Sequence, residues 1–191
     1  MFYLEYHIKA LIGKIKTSWY RLFMGMVGKK TVISIPSKVH NPKSIYLMKN
    51  IYIDAGSWLY AVNEVESRLY IGEKTQIGRF FHCVAYNNVE IQDNVLIAER
   101  VFISDCNHQY RSINKPILEQ GVYPISSVVV GSGTWIGEGA SIIGAKIGKN
   151  CVIGANAVVL TDVEDYCVAV GNPAKIVKRY NEKLKLWEKV N

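Results

Sequence analysis

Residues 130–159 read VGSGTWIGEGASIIGAKIGKNCVIGANAVV, and in this stretch an aliphatic residue recurs at every sixth position. The recurring residues are Val130, Ile136 and Ile142, followed one residue early by Ile147, Ile153 and Val159. Neither the 3.6-residue period of an α-helix nor the two-residue period of a β-strand produces this spacing. A six-residue period is typical of a triangular solenoid, in which each short strand contributes one inward side chain and each corner turns tightly.

The same rhythm extends towards the N-terminus. The first run keeps one six-residue register: Ile53, Leu59, Val65, Ile71, Ile77 and Cys83. After a shift of two residues, a second run follows: Ile91, Ile97 and Ile103. Of the 15 repeat positions in the four runs, 14 are Ile, Leu or Val, whereas chance would place about four such residues there. An earlier run indicates that the solenoid begins near residue 31: Ile33, Val39, Ile45 and Ile51.

Composition agrees with a single folded domain. The chain has 191 residues, of which 49% are hydrophobic and only 20% are charged, so it is not disordered. Its four cysteines show neither a CxxC pair nor a zinc-type spacing, which indicates reduced thiols in the core or at corners. No apolar run is long enough to cross a bilayer, and no cleavable signal pattern is present, so we expect a cytoplasmic location.

The net charge of +7 is confined to the two ends of the chain. Residues 1–30 carry six Lys or Arg against one Glu, and residues 171–191 carry six against two Glu. No basic stripe with interleaved aromatic residues follows the repeats, so we expect no nucleic-acid partner.

The N-terminal segment has apolar residues at helical spacing, interleaved with basic ones: Leu4, Ile8, Leu11, Ile15, Leu22 and Met26. This pattern predicts an amphipathic basic helix that ends near Gly25 or Gly28. One interpretation is a cap over the open first coil or a packing element between subunits. The other is a helix that lies on an anionic membrane surface, with Trp19, Tyr20 and Phe23 at the interface.

The long interruption of the repeat at residues 104–129 is where we expect the chemistry, because solenoid insertions project from one face and often carry function. The interruption opens with SDCNHQY, residues 104–110. His108 follows directly on the repeat strand that ends at Ile103, at the root of the loop. Because imidazole titrates near neutral pH, His108 is a candidate catalytic residue.

Several motifs occur in a fixed order along the chain: IQDNVLIA at 91–98, SD and NH at 104–108, TWIG at 134–137, IGANAVV at 153–159 and GNPAK at 171–175. In this order and at these spacings, the chain resembles the hexapeptide-repeat acyltransferases. The resemblance is to the group that contains maltose and galactoside O-acetyltransferases and the acetyltransferases of bacterial surface-polysaccharide clusters. It covers roughly residues 31–180.

The resemblance implies an all-β fold, a left-handed parallel β-helix over residues 31–170 with the loop insertion at 104–129. The N-terminal amphipathic helix occupies residues 1–30, and a basic C-terminal extension or helix occupies residues 171–191. It also implies a homotrimer whose active sites lie between neighbouring subunits and use acetyl-CoA as co-substrate, with no metal.

The activity implied is acetyl transfer from acetyl-CoA to a sugar hydroxyl, in the biosynthesis of bacterial surface polysaccharide or lipopolysaccharide. By resemblance, His108 is the catalytic base that takes the hydroxyl proton as the oxygen attacks the thioester. The acceptor would be contacted by Asn87, Asp105 and Asn107. A lipid-linked acceptor would explain a peripheral location on the inner face of the cytoplasmic membrane, reached through residues 1–27.

Cofactor contacts are also implied by the resemblance. Those expected along the pantetheine arm are Gly137, Glu138 and Ala155, with backbone groups of Leu160 and Thr161. Those expected at the nucleotide phosphates are Lys175, Lys178 and Arg179. Trp135 either lines the cleft near the thioester or packs between subunits.

Two departures from the family pattern are visible. Cys106 stands where relatives often have a second histidine or an asparagine, and Gly144-Ala145 replaces a longer Pro-Gly corner. The small helical N-terminal domain of the maltose type is also missing, which favours a polysaccharide or glycolipid sugar as the acceptor.

An N-acetyltransferase that acts on an amino-sugar nucleotide remains open, because an amine acceptor also requires a base. Serine acetyltransferase shares the solenoid but has a large helical N-terminal domain. A γ-type carbonic anhydrase needs three zinc-binding histidines, and only His82 and His108 lie within the repeats proper. An ice-binding solenoid would show outward rows of threonine, which this chain lacks.

Overall fold

The computed structural model describes residues 2–35, 37–62 and 66–190. Within these ranges the chain coils through three parallel sheets, visited in the same order on every turn, around one apolar interior. This is the parallel β-helix that the six-residue rhythm predicts. The repeat position Val65 lies outside the described residues.

Each sheet takes one short strand from each coil. The first contains β1 (Met26–Val27), β4 (Ile45–Leu47), β7 (Arg68–Ile71), β10 (Asn88–Ile91), β15 (Val128–Val130) and β18 (Lys146–Ile147). The second contains β2 (Val32–Ile33), β5 (Tyr52–Ile53), β8 (Gln76–Ile77), β11 (Leu96–Ile97), β16 (Trp135–Ile136), β19 (Val152–Ile153), β21 (Cys167–Val170), β22 (Lys175–Asn181) and β23 (Leu186–Lys189). The third contains β3 (Lys38–His40), β6 (Trp58–Ala61), β9 (His82–Ala85), β12 (Phe102–Ser104), β17 (Ser141–Ile143) and β20 (Val158–Val159).

The repeat residues fill the interior of the coil. Ile91, Ile103 and Val130 are fully buried, and Ile97 is 1% exposed. Because side chains alternate across a strand, the residues on either side of each buried one point outwards. The outward residues of the third sheet therefore form the surface that lies next to the inserted loop.

The corners between sheets have their own chemistry. The hydroxyl of Thr75 donates to the carbonyl of Gln92 at 3.1 Å, and that of Thr134 donates to the carbonyl of Gly148 at 2.9 Å. Asn94 and Asn150 adopt left-handed backbone conformations, with φ of 58° and 50°. Asparagine tolerates this region better than most residues, so these corners turn tightly without glycine.

The N-terminal helix is present but shorter than predicted. Helix α1 spans Phe2–Tyr20, so the expected end near Gly25 or Gly28 is wrong. The chain instead enters β1 at Met26, which pairs with β4, and the solenoid therefore starts before residue 31. A Cβ atom at Gly25 or Gly28 would collide with the backbone of the next coil. Glycine at these two positions therefore lets the chain join the first coil there.

Helix α1 packs across the first coil. The hydroxyl of Thr17, which is 1% exposed, accepts a hydrogen bond from the backbone N–H of Ile33 at 2.8 Å. The opposite side of the helix leaves large apolar residues exposed: Ile8, Leu11, Ile12, Ile15 and Trp19. Within the described ranges, no helix is long and apolar enough to cross a membrane.

The C-terminal segment is a β-hairpin and not the predicted helix. Strand β22 pairs antiparallel with β21 and with β23, which extends the second sheet by two strands. The segment Lys175–Asn181 reads KIVKRYN, in which β-branched and aromatic residues favour a strand over a helix.

Candidate active site

The inserted loop folds into a small antiparallel hairpin at the corner that follows the third sheet. Strand β13 (Cys106–His108) pairs with β14 (Val122–Pro124), with His108 opposite Val122. A 3₁₀ turn at Ile117–Glu119 lies in the connection between the two strands. The hairpin thus carries His108 out of the solenoid as the sequence predicts.

Asp105 anchors the root of this hairpin. Its side chain is 1% exposed, and its carboxylate accepts the backbone N–H groups of Tyr86, Asn87 and Asn88 at 2.6, 2.7 and 2.8 Å. Its own carbonyl accepts the N–H of Ile125 at 2.8 Å, on the returning side of the insertion. The carboxylate is therefore used by the backbone of the preceding coil, which differs from the predicted contact with substrate.

A cleft of about 700 Å³ lies between the hairpin and the outer face of the third sheet. His108 and Asn107 line it from the hairpin, together with Cys106 and Val122. The other lining residues come from the solenoid: His40, Trp58, Tyr60, Val62, His82, Val84, Tyr86, Phe102, Ser104 and Ile143. None of these lining residues is Lys, Arg, Asp or Glu, so the described wall of the cleft has no permanent charge.

The floor of the cleft is aromatic. Trp58, His82 and Phe102 are neighbours in register on β6, β9 and β12. The rings of Trp58 and His82 are stacked, with centroids 4.6 Å apart and planes at 1°, and Phe102 is 5.2 Å from His82. Burial between these rings lowers the pKa of His82 below its ordinary value of 6.5, so the imidazole is neutral at physiological pH.

His108 is exposed at the rim of the cleft in the single chain. The amide oxygen of Asn107 accepts the backbone N–H of His108 at 2.9 Å and so helps to fix the end of β13. Burial raises the pKa of the neighbouring Cys106 thiol, which keeps it protonated and makes it a poor nucleophile. The hairpin therefore presents an exposed imidazole and no activated cysteine.

The predicted cofactor residues lie away from this cleft. Trp135 is half exposed on the second sheet, and Gly137 and Glu138 form the corner that follows it, where Glu138 pairs with Arg100. Ala155 occupies the same corner one coil later, and Leu160 and Thr161 follow β20, all three exposed. None of them lines the cleft beside His108 within the same chain.

Lys175 and Lys178 of the C-terminal hairpin share one face. A β-bulge in β22 places Lys175 opposite Val170 and Lys178 opposite Val168, which both lie on the outer side of β21. Without the extra residue, positions three apart would face opposite sides of the sheet. Arg179 instead forms an ion pair with Glu164, which raises the pKa of its guanidinium.

Asn87 lies at the corner whose backbone N–H groups bind the Asp105 carboxylate. Its side chain is exposed, and it is not among the residues that line the cleft. Of the predicted acceptor residues, the fold brings only Asn107 into the cleft with His108. Among the described residues, no group of three or more His, Cys, Asp or Glu could hold a metal ion.

Sequence reasoning missed the aromatic floor. Trp58, His82 and Phe102 each directly precede a repeat residue of the third sheet: Leu59, Cys83 and Ile103. This position points outwards, so an excess of aromatic residues there is the signal that would have identified the floor.

No family model matches the chain. It is 33% identical over 165 residues to WbbJ of Escherichia coli K12, named as a lipopolysaccharide biosynthesis O-acetyl transferase, and 83% of each chain is covered. It is 32% identical over 159 residues to galactoside O-acetyltransferase of the same strain, covering 78% of this chain and 74% of that one.

Two solved structures share the fold. AntD, an N-acyltransferase from Bacillus cereus in complex with dTDP and 3-hydroxybutyryl-CoA, superposes with a TM-score of 0.74 at 20% identity, covering 88% of this chain and 90% of that one. The hexapeptide-repeat acetyltransferase VCA0836 from Vibrio cholerae gives a TM-score of 0.65 at 21% identity, covering 89% and 82%. Sequence and fold agree, and the chain therefore belongs to the hexapeptide-repeat acyltransferases, enzymes built on a left-handed parallel β-helix.

Proposed function

We propose that this protein transfers the acetyl group of acetyl-CoA to a hydroxyl of a sugar, in the biosynthesis of a bacterial surface polysaccharide or lipopolysaccharide. The observation that carries the proposal is the position of His108 at the rim of an uncharged cleft. The names of the two relatives, which are a lipopolysaccharide and a galactoside O-acetyltransferase, support the choice of acceptor.

In the proposed reaction, a ring nitrogen of His108 takes the proton of the acceptor hydroxyl while its oxygen attacks the thioester carbonyl. The new C–O bond forms, the C–S bond breaks, and the proton passes from the imidazolium to the departing thiolate of CoA. A positioned base of this kind contributes about 10²–10⁴-fold to the rate. Backbone N–H groups at the coil corners are suited to stabilise the oxyanion.

An amine acceptor is less well matched to the cleft. An amino sugar is protonated near neutral pH, and a carboxylate would favour its ammonium group. A nucleotide would bring phosphate groups that prefer Lys or Arg. The lining that this subunit contributes offers neither kind of residue, so on this side of the site a hydroxyl acceptor fits better.

We assign the cofactor contacts to the outer face of the second sheet and its corners. Lys175 and Lys178 would bind the phosphates of acetyl-CoA, because the bulge in β22 turns both ammonium groups to one face. Arg179 would assist at the phosphates. Gly137, Glu138 and Ala155, with the backbone of Leu160 and Thr161, would follow the pantetheine arm, and Trp135 would stand beside it.

Because these residues and His108 do not share a cleft within one chain, we propose that the active enzyme is a homotrimer. Each site would then combine the hairpin of one subunit with the second sheet of its neighbour. Asn107 would contact the acceptor and Asn87 would lie at the edge of that contact. Asp105 would act as a positioning residue through the backbone of residues 86–88.

We also propose a cytoplasmic enzyme that associates with the inner membrane surface through α1. The exposed apolar side of α1 carries Trp19, and the neighbouring basic residues Lys14 and Arg21 are exposed as well. Flotation with liposomes that contain anionic lipid should recover the full chain and not a variant that lacks residues 2–20. Equal recovery of both would leave α1 with the capping role alone.

The experiment that tests the proposed function is a thiol-release assay with acetyl-CoA. Acceptors should include free sugars, nucleotide sugars, amino sugars and lipid-linked oligosaccharides. Release of CoA should require a sugar hydroxyl, and the acetylated product should be cleaved by alkaline hydroxylamine, as an ester is. A product that resists hydroxylamine would establish N-acetylation, and no release from any acceptor would overturn the proposal.

A further inference from the structure

The cleft extends well beyond His108 along the outer face of the third sheet. The aromatic part of its solenoid wall is built from four adjacent strands, β3, β6, β9 and β12, which contribute His40, Trp58 and Tyr60, His82, and Phe102 in that order. Neighbouring strands are about 4.8 Å apart, so the wall runs for about 14 Å. This is longer than a single sugar ring.

The end of the wall farthest from β12 is formed by three aromatic side chains. His40 and Tyr60 are in register on β3 and β6, with ring centroids 5.2 Å apart, and Trp58 lies 6.0 Å from Tyr60. We name His40, Trp58 and Tyr60 the outer subsite. Its rings brace one another on a rigid sheet, so the surface they form is ordered before a ligand arrives.

The chemistry of the wall is that of a carbohydrate site. Ring edges carry partial positive charge and attract hydroxyl oxygens, while the ring faces are apolar. Trp58 Nε1 and His82 Nε2 are buried and have no hydrogen-bond partner among the described residues. Because both nitrogens are shielded, a ligand would meet the faces and edges of these rings and not the two nitrogens.

The absence of permanent charge from the described lining narrows the ligand further. Beside His108, a charged group would lose its hydration without gaining an ionic partner from this subunit. At the far end of the wall a cation is nearby: the ammonium group of Lys38 lies over the Trp58 ring, 5.4 Å from its centroid. A neutral sugar has hydroxyl groups and apolar C–H faces, and it would lose much less hydration free energy than a charged group.

From this geometry we infer that the acceptor is an oligosaccharide, whose acetylated, neutral sugar lies beside His108 and whose next sugars lie on the outer subsite. This inference rests on the proposed function. By this inference, Trp58 and Tyr60 determine the preference of the enzyme for longer acceptors. Replacing either residue should raise the Michaelis constant for a long acceptor and change turnover little.

The test is thiol release from acetyl-CoA with galactose, galactobiose and galactotriose, with glucose, maltose and maltotriose, and with UDP-galactose. In at least one series, kcat/KM should rise at least tenfold from one sugar to three, mainly through KM, and UDP-galactose should be a poor acceptor. Trp58→Ala and Tyr60→Ala should each lower kcat/KM for the trisaccharide about tenfold. Tyr60→Phe separates the contribution of the ring from that of the hydroxyl.

Phe80→Ala is the matched control, because Phe80 is an aromatic residue, 51% exposed, outside the lining of the cleft. It should leave the dependence on acceptor length unchanged, and circular dichroism should show that all variants fold. Release of CoA that does not depend on acceptor length, or a preference for UDP-galactose, would overturn the outer subsite alone. No release from any acceptor would overturn the proposed function and the subsite with it.

Discussion

At the scale of single residues, Asp105 holds the root of the hairpin that carries His108. Its buried carboxylate accepts three backbone N–H groups, and its carbonyl accepts a fourth from the returning strand of the insertion. Two residues separate it from His108. The position of His108 therefore depends on a carboxylate that does not line the cleft.

Asp105→Ala should lower the stability of the protein substantially, because three N–H groups would lose their acceptor at a cost of about 1–3 kcal/mol each. Asp105→Asn, which keeps one acceptor oxygen, should lose less. Asp162→Ala is the matched control, since Asp162 is exposed and accepts a single N–H, that of Lys146, at 2.8 Å. Thermal unfolding measures all three, and equal shifts for Asp105→Ala and Asp162→Ala would contradict this account.

His82 gives a prediction for pH. Burial lowers its pKa in the folded protein below the ordinary value of 6.5. As the pH falls from 6.5 through the folded pKa, the unfolded chain binds the proton before the folded one, so the free energy of unfolding must decrease. His82→Phe, which keeps a ring between Trp58 and Phe102, should flatten this dependence between pH 7.5 and pH 5 in denaturant titrations. An identical dependence in both proteins would be evidence against the buried neutral imidazole.

At the scale of elements, the six-residue period predicts the coil because each short strand has one inward residue and these residues recur every six positions. Residues such as Ile91 and Val130 are buried as their position in the repeat requires. The two ends were harder to predict. Helix α1 ends at Tyr20 because the chain must reach β1 at Met26, where it pairs with β4. The C-terminal segment forms a hairpin because β22 can pair with the edge strand β21. Both outcomes are decided by pairing between distant strands.

The stacking of corners makes a prediction of its own. A Cβ atom at Gly131 would collide with the backbone of Gly148 in the next coil, and backbone cannot yield as a flexible side chain can. Gly131→Ala should therefore separate two coils and lower the melting temperature by several degrees, whereas Ser132→Ala at the same corner should lower it little. Similar melting temperatures for the two variants would show that the corners are more compliant than the stacking indicates.

Only part of the candidate site could be predicted at this scale. His108 and Asn107 could be found because the break in the repeat and the family motif mark them. Trp58 and Tyr60 could be recognised as outward aromatic residues but not as neighbours of His108, since that relation depends on which strands of the third sheet lie beneath the hairpin. That relation follows from the register of β6 with β9 and of β9 with β12, which the sequence does not state directly.

At the scale of the whole molecule, the separation of His108 from the predicted cofactor residues is the main structural argument for an oligomer. A mixed oligomer tests it. Subunits with His108→Ala and subunits with Lys175→Ala and Lys178→Ala should each be impaired alone, the latter when acetyl-CoA is well below its Michaelis constant. Oligomers that contain both kinds should regain activity, because some interfaces then join an intact hairpin to an intact second sheet.

Activity of the mixed oligomers that does not exceed that of either parent would place the whole site within one subunit. Light scattering on the wild type and on the mixtures provides the control for assembly. A trimer in every sample is the expected state.

The most direct test of the central claim is His108→Ala, assayed for release of CoA at saturating acetyl-CoA and acceptor, with CoA binding measured in parallel by calorimetry. Loss of the general base should lower turnover by at least 10²-fold while the affinity for CoA stays as in the wild type, because the proposed cofactor residues lie on other elements. Turnover within a few-fold of the wild type in a folded variant that binds CoA normally would contradict the account.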